Sequence, residues 1–312
     1  WDKTRHKYRG WLRLLRRIRR ARFDAAITLQ RFASTGLWVA LSGAGWREGY
    51  RENPMSWAFS SLPKRSTAKR PRWHAPHPRH EYQRILVLLG FRALALASAA
   101  DDGDAEEGLE QEEDLRILAL KRAWMETSGY WEHIRPRLYP SPADYTAADA
   151  WRPAAPYLVA APGSVWPTKQ WPRHHWRSLL AQLQQPVVLI GGPGEQALCA
   201  ELAQGLPHVA NAAGQLSLLQ SAALMDGAAR VLAQDSAPLH LASAMNAPST
   251  AIFCSTVPAF GFGPLSDDSM VVEYTKPLAC RPCGLHGKAA CPEGHFRCGE
   301  GIAPAQVLAT IS

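Results

Sequence analysis

Apolar positions recur in two rhythms along this chain, and the change of rhythm divides it. Trp11, Leu14, Leu15, Ile18 and Ala21 fall at helical spacing, with Arg13, Arg16, Arg17, Arg19 and Arg20 mostly on the other side. That pattern predicts an amphipathic, strongly basic helix. It runs into Phe23-Asp24-Ala25-Ala26-Ile27-Thr28-Leu29, which reads as a buried parallel strand, and another helix is expected from about Ser34 to Leu41. Arg51 to Pro78 weakens into a Pro-, Arg- and Trp-rich loop, and His80 to Leu96 reads as helix. The acidic stretch from Ala99 to Asp114 reads as a surface insertion. Pro136 to Pro156 carries five prolines without periodicity, which predicts an interdomain linker.

After that linker the alternation is regular. Strands are expected at 157–160, 186–190, 229–233 and 249–253, and helices at 171–183, 195–206, 216–228 and 237–245. Strand–helix alternation of this length predicts an α/β fold whose parallel sheet is covered on both faces. Such sheets bind ligands at the carboxyl ends of their strands. The expected organisation is an N-terminal Rossmann-like domain over 1–150, opening in the middle of its pattern, and a C-terminal one over 151–312.

Composition changes the picture in a few places. With 46% hydrophobic and 20% charged residues the chain has globular values, not disordered ones. No run of about twenty uncharged apolar residues is present to span a bilayer as a helix. The net charge of +8 is unevenly spread: ten Lys or Arg lie from Lys3 to Arg22, and nine acids with no base lie from Asp101 to Asp114. The basic stretch suits an anionic partner such as a phosphorylated lipid, a membrane surface or nucleic acid, or is a solvated helix face. A nucleic-acid partner is not expected, because no recognition motif accompanies the charge. The first residue is Trp and no signal-peptide layout follows it, so the chain is read as starting downstream of its true beginning.

Candidate chemistry sits in three strand-to-helix loops. In 161–172, Gly163 lets backbone approach a ligand, Ser164 and Thr168 bring hydroxyls, and Lys169 brings a cation just before a helix start. This is not a Walker loop, since GxxxxGK[ST] is absent. The turn Ile190-Gly-Gly-Pro-Gly-Glu195 ends in an acid that could take ribose hydroxyls, or simply favour the first turn of a helix. In Gln234-Asp-Ser-Ala-Pro-Leu-His240, Asp235 or Ser236 is expected to cap a helix whose free N–H groups favour a diphosphate. His240 lies one turn further in.

Taken in order, these loops resemble glycosyltransferase family 9, the ADP-heptose:lipopolysaccharide heptosyltransferases of Gram-negative bacteria. The matching stretches are PGSVWPTKQWP at 162–172, IGGPGE at 190–195, NAAGQLSL at 211–218 and AQDSAPLHLASAMNAPSTAIF at 233–253, with Cys280-Arg-Pro-Cys283 and the following Cys-Pro and Gly-His. The resemblance is strong over about 155–312 and looser over 23–36. It implies the GT-B fold, with the donor bound mainly by the C-terminal domain, and an inverting, metal-independent transfer without cofactor. It implies that Ser164 and Lys169 meet the donor's phosphates and sugar, Glu195 the ribose and Leu216 the adenine, with Thr168 also among the donor-binding residues. Asp235 would hold the heptose, and Ser236, Ala237 and His240 would line the diphosphate site. The family usually has Gly where this chain has Ala237, so a methyl group there is expected to crowd the phosphate. The family's base is an Asp in a Gly-Asp turn after its first strand, which places it upstream of Trp1. The chain is therefore expected to bind a sugar nucleotide weakly and transfer little. The implied partners are the nucleotide sugar and an anionic lipid-linked oligosaccharide, with peripheral contact at the cytoplasmic face of the inner membrane.

Cys280, Cys283, Cys291 and Cys298 place four thiols in nineteen residues, enough for a zinc site, although the spacing is not a standard CxxC…CxxC. Reduced thiols or a disulfide fit as well. Cys199 and Cys254 read as buried helix and strand residues. His74, His77 and His80 are interrupted by Pro76 and Pro78 and so cannot share a helical metal face. Other readings of the whole are a GT-B enzyme using a UDP- or GDP-sugar, or a non-catalytic nucleotide-sugar-binding module with a cysteine-rich tail.

Overall fold

The computed structural model describes residues 7–28, 30, 32–49, 53–59 and 135–311. They fall into two compact units, one holding 7–59 and the other 135–311. The expected helix at 80–96, the acidic stretch and the three spaced histidines lie outside the described residues.

In the first unit, helix α1 (Lys7–Ala21) leads into strand β1 (Ala25–Thr28), helix α2 (Ala33–Ala40) and strand β2 (Trp46–Gly49), which pairs parallel to β1. On α1, Leu15 is buried and Trp11, Leu14 and Ile18 are half-buried. Trp11 stacks on Trp38 of α2 with centroids 6.0 Å apart, and its indole N–H donates to the Ser34 carbonyl at 3.4 Å. Arg9, Arg13, Arg16, Arg17, Arg19 and Arg20 are all exposed. The helix therefore turns its apolar stripe inward and its guanidinium groups outward, as the sequence pattern predicts.

The second unit departs from the expected linker. Pro142–Asp149 is a helix, α3, started by Ser141, whose hydroxyl accepts the Asp144 N–H while the Asp144 carboxylate takes the Ser141 N–H. Pro142 occupies the first turn, where its missing N–H costs nothing. Ala148 is fully buried, and Tyr145 and Trp151 pack on the core. The prolines thus bound a helix rather than exclude one.

The unit continues with β3 (Leu158–Ala161), α4 (Arg173–Gln182), β4 (Val187–Leu189), α5 (Gln196–Ala203), β5 (Val209–Asn211), α6 (Leu218–Met225), β6 (Arg230–Gln234), α7 (Ala237–Met245), β7 (Ser249–Phe253), β8 (Ser269–Glu273) and the short helices α8 (Arg297–Glu300) and α9 (Pro304–Leu308). Six strands pair in the order β5-β4-β3-β6-β7-β8, all parallel. Counted from β3, this is the 3-2-1-4-5-6 order of the doubly wound nucleotide-binding sheet. β3, β4, β6 and β7 are buried at every residue, as strands covered on both faces must be. One core layer holds Trp171, Trp176, Leu179, Leu180 and Leu202, and the other holds Ala148, Leu224, Met225 and Leu239. Strand order reverses between β3 and β6, so the loops leaving these two neighbours diverge and open a crevice.

Candidate functional site

All three candidate loops leave the carboxyl ends of adjacent strands: 162–172 follows β3, 190–195 follows β4, and 235–236 follows β6. The first and third meet through side chains, and the second lies against the backbone of the first. The Lys169 ammonium lies 2.8 Å from Asp235 Oδ2, with both side chains mostly buried. The Thr256 hydroxyl, at the end of β7 and fully buried, donates to the same Oδ2 at 2.6 Å. Both interactions use one carboxylate oxygen. A buried carboxylate needs such partners to remain charged.

The loop after β3 is fixed from several directions. Gln234, the last residue of β6, accepts the Trp171 N–H at 2.8 Å through Oε1 and donates through Nε2 to the Pro162 carbonyl. The Gln170 amide donates to the Ser164 carbonyl at 2.7 Å. Thr168 is buried, and its hydroxyl oxygen accepts from the Ser255 hydroxyl at 3.1 Å and from the Lys288 N–H at 2.7 Å. The Thr168 N–H donates in return to the Lys288 carbonyl at 3.2 Å. The Thr168 hydroxyl thus latches the loop, while Ser164 and Lys169 beside it are half-buried.

Glu195 ends a single 3-10 turn, Pro193–Glu195, ahead of α5. Its Oε2 accepts the Gly192 N–H at 2.6 Å. The carboxyl group lies so close over Gly163 that a Cβ there would overlap Oε1 and Cδ, and a Cβ at Gly191 would fall 2.6 Å from Oε2. These two glycines exist to admit the carboxylate. Glu195 therefore bridges the β3 and β4 loops, so its placement does more than favour the helix start. Leu216 packs on the second core layer just before Ser217, which caps α6 by accepting the Gln220 N–H at 3.2 Å.

Helix α7 begins after Ser236, but Ser236 does not cap it through its side chain as expected. Its hydroxyl donates back to the Gln234 carbonyl at 3.4 Å. Asp235 is likewise committed to Lys169 and Thr256. The first turn thus has no side-chain cap, and Ala237 is exposed at its start. An uncapped helix N-terminus beside a buried ammonium is a site for an anion. His240 lies one turn further along, with its ring 6.3 Å from Phe262 in edge contact. Burial pulls its pKa down; Asp235 pulls it up and Lys169 pushes it further down. The imidazole is therefore neutral at pH 7.

Several residues at the site carry no signal in the three loops. Ser255 and Thr256 stand where β7 ends, a place where strand-end polar residues point to ligands. Arg281 is buried. It donates through Nε to the Cys254 carbonyl at 2.7 Å, and through Nη2 to the Thr256 carbonyl at 2.8 Å and the Glu273 carboxylate at 2.6 Å. It pins the cysteine-rich stretch beside the end of β7. Gly287, at φ +77°, would with a Cβ fall 2.9 Å from Lys169 Cγ. Only a residue at home in the left-handed region fits there.

The tail thiols neighbour one another, but no three of them have their sulfur atoms all within 4.8 Å. Cys280 Sγ lies 3.9 Å from His295 Nε2, the Cys283 thiol donates to the Cys280 carbonyl at 3.3 Å, and all six cysteines are unpaired thiols. Burial and neighbouring thiols raise the pKa of Cys283, and push that of Cys298 up to about 11, which favours the neutral thiol. Cys199 and Cys254 are buried, as expected.

Comparison with known proteins adds to this geometry. The profile of the family described as Glycosyltransferase family 9 (heptosyltransferase) matches residues 116–289, more than half the chain. Lipopolysaccharide heptosyltransferase 1 of Pseudomonas aeruginosa is 35% identical over 112 residues, covering 35% of this chain and 31% of that protein. Lipopolysaccharide heptosyltransferase 2 of Escherichia coli is 28% identical over 168 residues, covering 50% of this chain and 46% of that protein. The chain thus spans about a third to a half of the curated relatives it matches. Among solved structures, E. coli ADP-heptose lps heptosyltransferase II superposes with a TM-score of 0.68 at 20% identity, over 98% of this chain and 80% of that one. A family 9 glycosyltransferase from Veillonella parvula gives 0.67 at 16% identity, over 99% and 79%. The fold is the α/β, GT-B fold of these structures.

Proposed function

The chain belongs to glycosyltransferase family 9, and from that premise we propose that it moves a heptose from ADP-heptose to the inner core of lipopolysaccharide. The observation that carries this reading is the Lys169–Asp235 pair beside the uncapped start of α7 at the strand-order reversal of one sheet, with Glu195 bridging the neighbouring β3 and β4 loops. Transfer with inversion forms a bond from an acceptor hydroxyl to the heptose anomeric carbon as the bond to ADP breaks; a general base takes the hydroxyl's proton, and the departing diphosphate gathers negative charge. Lys169 and the first N–H groups of α7 meet that charge, so neither a metal ion nor a cofactor is needed in this reading. Asp235 has Oδ2 occupied by Lys169 and Thr256, which leaves Oδ1 for a heptose hydroxyl. Glu195 takes the ribose hydroxyls through the oxygen facing Gly163, Leu216 supports the adenine, and Ser164 and Ser236 bring hydroxyls to the phosphates. Thr168 acts through Lys169 by fixing its loop. Neutral His240 donates a hydrogen bond to the diphosphate.

The acceptor is read as an anionic lipid-linked oligosaccharide, and the outward guanidinium face of α1 as the surface that meets it. No helix among the described residues is long and apolar enough to cross a membrane. Peripheral contact at the cytoplasmic face of the inner membrane fits that surface, and binding to anionic but not neutral vesicles is the measurement that checks it.

Thermal unfolding with a nucleotide panel tests the donor assignment. ADP should raise the midpoint while UDP and GDP leave it in place, and Lys169→Ala should abolish the ADP shift. Equal stabilisation by UDP or GDP would point to another nucleotide sugar. Heptose transfer from ADP-heptose, followed as a mass gain on heptose-deficient lipopolysaccharide, tests the reaction itself: a slow gain is the expected outcome, and no gain would point to a binding module.

A further inference from the structure

Two adjacent histidines at the start of α4, just past the first candidate loop, and one glutamate at the end of α8 take no part in the proposed reaction. Glu300 Oε2 stands 3.2 Å from His174 Nε2 and 3.7 Å from His175 Nε2. The Glu300 carbonyl oxygen is 3.0 Å from the same His175 nitrogen. Among the described residues, His174, His175 and Glu300 are the one set of three such side chains whose donor atoms all lie within 4.8 Å of one another.

We propose that His174, His175 and Glu300 form a binding site for a borderline transition-metal cation, Zn2+ above all, that clips the end of the chain onto α4. The argument begins with bond lengths. Zinc holds nitrogen and oxygen donors at about 2.0–2.2 Å in tetrahedral array, so two of its donors stand about 3.4 Å apart. The two imidazole-to-carboxylate separations lie within a few tenths of an ångström of that value. Two neutral imidazoles and one carboxylate are a ligand set that zinc accepts, with a fourth position for water. Imidazole nitrogen disfavours the hard cations Mg2+ and Ca2+, which prefer oxygen.

The surroundings support the site. His175 is held in place: its ring stacks on Trp171 with centroids 5.5 Å apart and planes 24° from parallel, and its side chain is only 16% exposed. His174, with its side chain 65% exposed and its ring 4.2 Å from that of His175, leaves the site open for an ion to enter. Arg173, the nearest cation in sequence, is engaged by Glu201 at 2.9 Å and does not claim Glu300. Ligation requires the His175 tautomer with its proton on Nδ1, so the ion takes the place of the hydrogen that otherwise links Nε2 to the Glu300 carbonyl. Glu300 directly precedes Gly301 and Ile302, whose carbonyl accepts the Trp171 indole N–H at 2.9 Å. The clip would therefore reinforce an existing seam between α4 and the C-terminal helices. This inference does not rest on the transfer reading, and its test involves no sugar.

Metal binding to the whole chain is measured by calorimetry and thermal unfolding with ZnCl2, NiCl2 and MgCl2, and by absorption with CoCl2. One equivalent of Zn2+ should bind and raise the unfolding midpoint, while Mg2+ should do neither. Cobalt should show visible d–d bands without the near-ultraviolet band of thiolate ligation. His174→Ala and Glu300→Gln, both at exposed side chains, should each weaken Zn2+ by about tenfold or more, since even outer-shell partners of a bound metal are worth about 10–100-fold. His175 is left unchanged because its ring is packed. No binding, equal binding of Mg2+, a thiolate band, or variants with unchanged affinity would each overturn the proposal; a thiolate band would move the ion to the tail cysteines.

Discussion

Replacing Gly163 by alanine tests whether the Glu195 carboxylate is the element that reads the donor's ribose. The added Cβ would overlap Glu195 Oε1 and Cδ and come within 2.9 Å of Cγ, where ordinary contact begins beyond 3.4 Å. The side chain can move, so the backbone need not. In moving, the carboxylate gives up its 2.6 Å bond from the Gly192 N–H. A hydrogen bond to a charged group contributes about 1.5–3 kcal/mol, and part of that returns through solvation of the displaced carboxylate. We expect a stability loss of about 1–2 kcal/mol, read from urea unfolding. The second effect is on binding. If Glu195 holds the ribose hydroxyls, its displacement removes another charge-assisted bond, and ADP affinity falls by about 10–100-fold by calorimetry. Glu195→Ala should cause a similar loss, and adding Gly163→Ala to that background should cost little more, because the group it displaces is gone. ADP affinity that survives Gly163→Ala unchanged, or full additivity of the two changes, would refute the reasoning.

Two more outcomes follow from the same crevice. Thr256→Val keeps the shape of a fully buried side chain but removes the 2.6 Å bond to Asp235, and should cost about 1–3 kcal/mol in urea unfolding, with weakened ADP binding in the same variant. His240 has a folded pKa below its ordinary value because of burial, so the folded state resists a proton that the unfolded chain accepts. Above about pH 6.5 the ring is neutral in both states and has no effect. As the pH falls through the unfolded value, stability should drop at up to about 1.4 kcal/mol per pH unit until the folded ring is itself protonated. Subtracting a His240→Gln variant isolates that share. A wild-type curve parallel to the variant's between pH 7.5 and 5 would show that burial does not govern this histidine.

The second unit is legible in the chain because strands buried on both faces must be apolar throughout. Val187–Leu189 and Ser249–Phe253 stand out for that reason, and α7 is expected at the residues where it occurs. Two strands escape the same reading. β5 is three residues long, and β8 lies at the sheet edge with Met270 and Val271 partly in solvent, so neither offers a run or an alternation. The prolines around α3 hide a helix that the Ser141–Asp144 pair announces. Within the site, the loops that supply Lys169, Glu195 and Asp235 are visible as glycine and polar residues after apolar runs. The partners that decide their roles are not. Thr256 and Gln234 act on residues 21 and 63 positions away, and no local pattern marks a side chain whose purpose is to meet a distant carboxylate or backbone N–H.

The latch between Thr168 and Lys288 joins residues 120 positions apart, and Trp171 meets Ile302 across 131. Both contacts lie at the first loop of the sheet, so the residues that complete this loop are among the last of the unit to be synthesised. At about 5–20 residues per second, roughly ten seconds separate the appearance of Lys169 from that of its supports. A nascent chain arrested between the end of β7 and Lys288 would have its central strands made but the floor of the crevice unfinished. Nucleotide binding by ribosome-bound chains of increasing length should therefore switch on late and abruptly rather than grow with each strand added.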